Sequence, residues 1–374
     1  MTILIMLFKL HLQIIYFFLK LLPTNSKKVL LMSRQSNVQT VDFVLIEAEI
    51  KKRFTNYKVV SLTKKLEKKA RAIISYYFSM YVQMFHLATA KACVVDSYII
   101  PVSVLKHKKN LLIIQLNHGI GNIKKFGYQT LNKESGRDEK LAKLMKLHHN
   151  YDYVISNSAA VSKFYAEAFN VPITQLLNFG QPKIDYILNI RSQQENILKK
   201  YPGLKDKPVI LYFSTFRAYE DDYLEKFIAK MPLQNYNIII YPHFVMYEKH
   251  PSLAQKLDVP GVYRCKDEFI SDLLSVADYV VTDYSSFMFE SAILGISTYL
   301  FIPDYDKYTE KNGLNVDVAK ELKPYAYRDA EKLFAAIAKG KYEPKTLKAF
   351  KACYIENANG DSTTKLVDLI IKGK

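Results

Sequence analysis

The sequence predicts two α/β domains, each a Rossmann-like parallel sheet with helices on both faces, preceded by an amphipathic helix that associates with a membrane. Three observations predict this. The chain has 374 residues, more than one core of ordinary size holds at roughly 150 residues per domain. Apolar runs of strand length alternate with longer segments of helical period, the βα alternation of a parallel sheet. Residues 1–22, MTILIMLFKLHLQIIYFFLKLL, are strongly apolar but broken by Lys9, His11, Gln13 and Lys20, so no run reaches the roughly 18 to 20 clean residues of a spanning helix.

Lys9, Gln13 and Lys20 are spaced by four and then seven residues, which puts them on one helical stripe with Leu, Ile and Phe over the rest. That is the pattern of a helix lying in a bilayer interface. No A-x-A-like site precedes Pro23, so residues 1–24 read as a retained anchor rather than a removed signal peptide.

Strands then follow at residues 29–33, 57–62, 93–99, 111–116, 151–156 and near Leu176, with helices at 41–54, 64–92, 141–149 and 159–169. These make an amino-terminal domain over 25–200. After the charged, turn-prone stretch 201–207, a second series starts at Pro208: strands at 209–214, 237–242, 279–283 and 298–301, helices at 223–231, 268–277, 286–294, 328–339 and 363–372. This is the carboxyl-terminal domain, 208–374. In sheets of this kind ligands bind beyond the carboxyl ends of strands, and two such domains facing each other make a cleft. Motifs at strand ends therefore carry the functional argument.

Charge narrows the partners. Residues 1–190 hold 27 Lys and Arg against 11 Asp and Glu, while residues 191–374 hold 26 against 25. An excess confined to one half implies an anionic partner for that half, a lipid surface or a nucleic acid. The apolar first helix favours the lipid surface. Basic clusters at 51–53, 64–65, 68–71 and 106–109 would add roughly 1 kcal/mol per residue that reaches it. A nucleic-acid protein would instead show a basic stripe interleaved with stacking aromatics. The three cysteines, Cys93, Cys265 and Cys353, lack CxxC spacing and a nearby histidine, which speaks against structural zinc and a disulfide framework.

Four segments at strand ends could carry chemistry. The first is 115–127, QLNHGIGNIKKFG. Gly119 and Gly121 permit close backbone approach, Lys124 and Lys125 supply positive charge, and His118 sits where a general base would act. A histidine alone at such a place is more often a structural hydrogen-bonder. The second is 279–290, YVVTDYSSFMFE. Ser285 and Ser286 at a helix start could seat a phosphate, and the plainer reading is N-capping by Ser285 or Asp283. The third and fourth, FSTFR and YPHF, offer Arg217 and His243 as phosphate ligands. The pair Asp304 and Asp306 reads as a solvated loop, and no metal is assigned. Neither a GxGxxG fingerprint nor a P-loop occurs.

In order and separation these segments resemble the CDP-glycerol glycerophosphotransferases of teichoic acid synthesis, with the KKFG ending most like the short primase branch. The resemblance spans about residues 28–320. It implies a GT-B fold, transfer without metal or other cofactor, and a monotopic membrane element at the cytoplasmic face of the cell membrane. It implies that His118 deprotonates an acceptor hydroxyl, which attacks the β-phosphorus of CDP-glycerol as CMP leaves. Arg217, His243, Ser285 and Ser286 would neutralise the pyrophosphate, and Asp283 would orient their loop. The acceptor implied is a lipid-linked, undecaprenyl-diphosphate disaccharide. Asn117 stands where the family usually has Trp, and Phe244 where it usually has Pro. A CDP-ribitol transferase on the same scaffold, or a GT-B sugar transferase using a nucleotide sugar, are the alternatives.

Overall fold

The computed structural model describes residues 2–67, 69–134, 136–215, 223–241 and 257–374. They form two compact units. The first comprises Met1–Ile120, Lys125–Asp185 and Asn357–Lys374; the second comprises Gly121–Lys124 and Tyr186–Glu356. The sequence boundaries at 25–200 and 208–374 differ from these in three places, the first being 121–124, which belong to the second unit. Residues 186–200 belong to the second unit, and the last eighteen residues return to the first.

The first unit is built on six parallel strands: β1 (Asn25–Ser33), β2 (Lys58–Thr63), β3 (Ala90–Val95), β4 (Leu112–Gln115), β5 (Tyr153–Ser156) and β6 (Leu176–Asn178), in the order β2-β1-β3-β4-β5-β6. Helices cover both faces, so the central strands are apolar without alternation: β4 is buried along its whole length. Val29, Leu31, Val94, Leu112 and Ile114 pack against Phe43, Ile46 and Ile50 of the helix Val41–Arg53. Leu366, Val367 and Ile370 of the helix Ser362–Lys372 complete that layer. The return is pinned by Asp185, whose carboxylate accepts from Thr363 N and Oγ1 at 2.7 Å each, and by the Arg53–Asp368 ion pair at 2.6 Å.

The helix Thr2–Leu19 is long and apolar enough to cross a membrane by length and composition. It docks on the first unit through buried Leu12 and Tyr16. Tyr16 Oη meets His107 Nδ1 at 2.8 Å, and Lys9 Nζ donates to the Leu144 carbonyl at 2.6 Å. The polar stripe expected to face water is thus partly spent on the protein, and Leu4 and Phe18 stand 71% and 62% exposed. Beside it runs the helix Ala70–Thr89, touching through Phe8–Tyr77 and His11–Tyr81. Its outer face shows Ile73, Ile74, Phe78, Val82 and Phe85, so this apolar helix is not covered on all sides by the protein. The basic cluster at 106–109 is partly structural too: Lys108 Nζ donates to the Leu22 carbonyl.

The second unit has the strands β7 (Val209–Phe213), β8 (Asn237–Tyr241), β9 (Val262–Tyr263), β10 (Tyr279–Thr282), β11 (Ser297–Phe301) and β12 (Ala326–Tyr327), all parallel, in the order β12-β11-β10-β7-β8-β9. This is the order of dinucleotide-binding sheets. Its core joins Ile210, Tyr212, Ile238 and Val281 to Phe227, Phe301 and Leu333.

Candidate active site

A parallel sheet presents ligands at the carboxyl ends of its strands, where the order reverses direction. In the first unit that reversal lies between β1 and β3, and in the second between β7 and β10. The described candidate residues stand at strand exits, His118 after β4 in the first unit and Asp283, Ser285 and Ser286 after β10 in the second.

In the first unit, β4 runs out through Leu116 into Asn117 and His118. Asn117 is buried with φ 60°, a left-handed conformation that Asn tolerates far better than bulky residues. Its N–H donates to Gln115 Oε1 at 2.8 Å, its Nδ2 to Tyr165 Oη at 2.8 Å, and its Oδ1 accepts the His118 N–H at 2.9 Å. Gln181 Nε2 donates to the carbonyls of Leu116 at 2.7 Å and Gly119 at 2.9 Å, and Tyr165 Oη donates to Gly119 O as well. Burial pushes the Tyr165 hydroxyl up to about 12, with Asn117 and Gln181 pulling the other way. A buried polar network of this kind fixes the backbone on either side of His118, while the histidine itself is exposed. Asn117, at the position where the resembled family usually has Trp, therefore shapes the turn that presents His118.

The glycines and lysines of the same segment divide. Gly121 has φ +103°, and a Cβ there would come within 2.7 Å of the Phe289 ring. Lys124 pairs antiparallel with Leu314, and its carbonyl accepts from Asn315 Nδ2 at 3.2 Å. Lys125 returns to the first unit and lines the pocket with His118. Phe126 packs edge-on to Tyr165 and Phe169, and Gly127, at φ +56°, leaves no room for a Cβ against the Ala168 carbonyl.

That pocket, about 230 Å³, is bounded by residues that follow β1, β3 and β4, among them Arg34, Asp96, Tyr98, Arg137 and His118. Arg34, Asp96, Arg137 and Gln181 were not anticipated. Arg34 and Asp96 each stand first after a strand, the position that drew attention to the other motifs, but no glycine or histidine accompanies them. Burial pushes the Asp96 carboxyl up to about 6, against a smaller opposing pull from Ser33, Ser97 and its own backbone. Ser33 and Ser97 are near enough to pull, but among the described residues neither carboxylate oxygen has a hydrogen-bond partner of good geometry. His148, buried beside them, is pushed down to about 3 by burial first and then by Arg137 and Arg34.

In the second unit Asp283 follows β10 and reaches across the switch point. It accepts from Thr215 N at 3.0 and 2.9 Å and from Thr215 Oγ1 at 2.8 Å. The N-cap position of the helix that follows belongs to Ser286, not to Asp283. Ser285 Oγ accepts the Phe287 N–H at 3.2 Å, while Ser286, half-buried, sits at the N-cap of Phe287–Leu294 without a side-chain cap bond. Ser285 thus binds locally as the plainer reading expects, and its hydroxyl proton stays a donor. Arg217, His243 and Phe244 lie outside the described residues.

Asp304 departs from expectation. It is buried rather than solvated, accepting from Tyr284 Oη at 3.1 Å and Tyr223 Oη at 3.2 Å. Asp306 is exposed and pairs with Arg328 at 2.7 Å. Among the described residues no three His, Cys, Asp or Glu side chains cluster as a metal site would need.

Comparison with known proteins agrees with this architecture. The fold is GT-B-like: it is similar to the solved wall teichoic acid polymerase TagF, with TM-score 0.73 and 20% identity over 93% of this chain and 89% of that one. The teichoic acid ribitol-phosphate primase of Bacillus spizizenii (strain ATCC 23059 / NRRL B-14472 / W23) is 28% identical, over 94% of this chain and 92% of its own. The teichoic acid glycerol-phosphate primase of Bacillus subtilis (strain 168) is 25% identical, over 96% and 95%. The model of the CDP-glycerol:poly(glycerophosphate) glycerophosphotransferase family matches residues 14–372, and the chain belongs to that family of teichoic acid phosphotransferases.

Proposed function

We propose that the chain transfers a polyol phosphate from a CDP-activated donor to a lipid-linked saccharide acceptor, releasing CMP. The observation that carries this is an exposed His118 held on a rigid polar turn at the exit of β4, in a chain whose family match runs nearly end to end. In this reading the acceptor oxygen bonds to the β-phosphorus while the bond from that phosphorus to the bridging oxygen breaks. CMP departs with the bridging oxygen, and the acceptor's proton passes to the neutral His118 imidazole. Ser285 and Ser286, with Arg217 and His243 as the family resemblance assigns them, neutralise the pyrophosphate. Each well-placed donor of this kind is typically worth about 3 kcal/mol in the transition state. Asp283 positions the serine turn through Thr215.

Glycerol phosphate is the group the motifs suggest. Ribitol phosphate is the second reading, supported by two relatives named for it, a primase and a polymerase, each 28% identical over 94% of this chain. Purified protein offered CDP-glycerol or CDP-ribitol, with and without a short-chain lipid-diphosphate disaccharide, decides the matter by CMP release. Acceptor-dependent release is expected from one donor, and release from neither removes the reading.

Attachment to the cytoplasmic face of the membrane belongs to the same proposal. It is supported by the apolar outer faces of Thr2–Leu19 and Ala70–Thr89. A Phe18→Asp, Phe78→Asp variant should stop floating with anionic vesicles, and unchanged flotation would refute the attachment.

A further inference from the structure

The pocket of the first unit holds cations that no described residue neutralises. The guanidinium carbons of Arg34 and Arg137 each lie 5.2 Å from the centroid of the Tyr98 ring. Tyr98 is buried and fixed by a hydrogen bond from its Oη to the Met145 carbonyl at 2.7 Å. Two guanidinium groups on one rigid aromatic support are preorganised, and each retains its planar fork of donors for a phosphate.

Neither arginine forms an ion pair or a side-chain hydrogen bond with a described residue, and neither does Lys125 at the same pocket. Asp96, the carboxylate on this wall, pairs with none of them, and both its oxygens are sealed from solvent. The positive charge is felt nearby: Arg137 is held below its usual range by burial and by Arg34. Like charges kept together without a counterion cost energy that a bound anion would relieve. The location is also a ligand position by topology, because Arg34 follows β1 and Asp96 to Tyr98 follow β3, on either side of the switch point. At about 230 Å³, the space suits a phosphate or diphosphate better than a whole nucleotide, since pockets for drug-sized ligands start at roughly 300 Å³.

We infer that this pocket holds a phosphoryl group of the acceptor, gripped by Arg34 and Arg137 over Tyr98, and thereby presents the acceptor's hydroxyl to His118. The inference rests on the reading of His118 as the base. It makes Arg34 and Arg137 specificity residues for an acceptor that carries its own phosphate or diphosphate.

The test uses the full chain and two acceptors, a short-chain lipid-diphosphate disaccharide and the same disaccharide without its diphosphate. Arg34→Gln and Arg137→Gln should raise KM for the diphosphate acceptor by about 10- to 100-fold, the loss of one charge-assisted contact. KM for the CDP-polyol should stay within about twofold, Arg34→Lys should fall between, and the acceptor lacking phosphate should hardly respond. A raised donor KM with an unchanged acceptor KM would overturn the assignment in favour of the donor. Loss of binding to phosphatidylglycerol vesicles with acceptor KM unchanged would overturn it in favour of a lipid headgroup. Binding is read without turnover by inorganic pyrophosphate, which should raise the Tm of the wild type and not of the double variant. If the wild type releases no CMP with either donor, the functional reading falls and pyrophosphate still decides the pocket: a rise that the double variant lacks keeps the anion site, and no rise removes it.

Discussion

Asp96 and Asp283 occupy equivalent places and have opposite surroundings. Each is the first residue after a central strand, β3 in one sheet and β10 in the other, and each is almost fully buried, at 2% and 1% exposed. Asp283 receives the Thr215 backbone N–H and hydroxyl, and so ties the end of β10 to the end of β7. Among the described residues Asp96 receives no hydrogen bond of good geometry, and burial raises its carboxyl against a smaller pull from the nearby Ser33 and Ser97. A buried carboxylate is stable only where donors replace the water it lost. The satisfied aspartate is therefore scaffold, while the unsatisfied one persists at a cost to the fold beside the pocket that contains the proposed base. Strain of this kind concentrates at functional sites.

Substitutions separate the two roles. The largest effect should come from His118→Ala. CMP release should fall by about 1000-fold, within the span of lost general base catalysis, and the urea midpoint should not move. A shifted midpoint would mean that the histidine is scaffold after all. Next, Asp283→Ala should cost about 2 kcal/mol in urea unfolding, because the part-buried Thr215 N–H and hydroxyl lose the carboxylate they donate to, and Asp283→Asn should recover part of the loss. Equal stability for Asp283→Ala and wild type would break the comparison at its satisfied end.

The last effect concerns Asp96 and is spread over a pH range, so that only part of it is read at any one pH. An ordinary Asp titrates near 3.9, so with its carboxyl raised to about 6 the folded state binds the proton more tightly between those values. Stability is thus favoured below about pH 4 and declines as pH rises towards 6, by up to about 3 kcal/mol for this group. His148, depressed by burial, acts in the opposite sense, so the difference between proteins is the informative quantity. Asp96→Asn should gain on the wild type as pH rises from 4 to 6. A difference that stays flat would show that the carboxylate is satisfied.

The sequence revealed the sheets because central parallel strands are short apolar runs, and β1, β4, β7 and β10 stand where those runs do. It missed β9 and β12, two residues each, too short to show any period. The run at 93–99 has the pattern of one strand, which hides the turn at Asp96 where β3 ends. His118, Ser285 and Asp283 were legible because they stand in dense polar clusters at strand exits. Arg34 and Arg137 were not, since they lie about a hundred residues apart and only the folded chain brings both to Tyr98. Gln181 follows a glycine in an unremarkable stretch, and its two hydrogen bonds to the His118 turn leave no mark on the local pattern.

The helix Ser362–Lys372 has a consequence for how the protein is made. Its Leu366, Val367 and Ile370 sit in the same apolar layer as Phe43 and Ile46, which are translated more than three hundred residues earlier. At roughly 5 to 20 residues per second, the ribosome needs on the order of 10 to 40 s after residue 185 to deliver them. For that interval the first unit waits with a bare seam, open to chaperones and to like seams on neighbouring nascent chains.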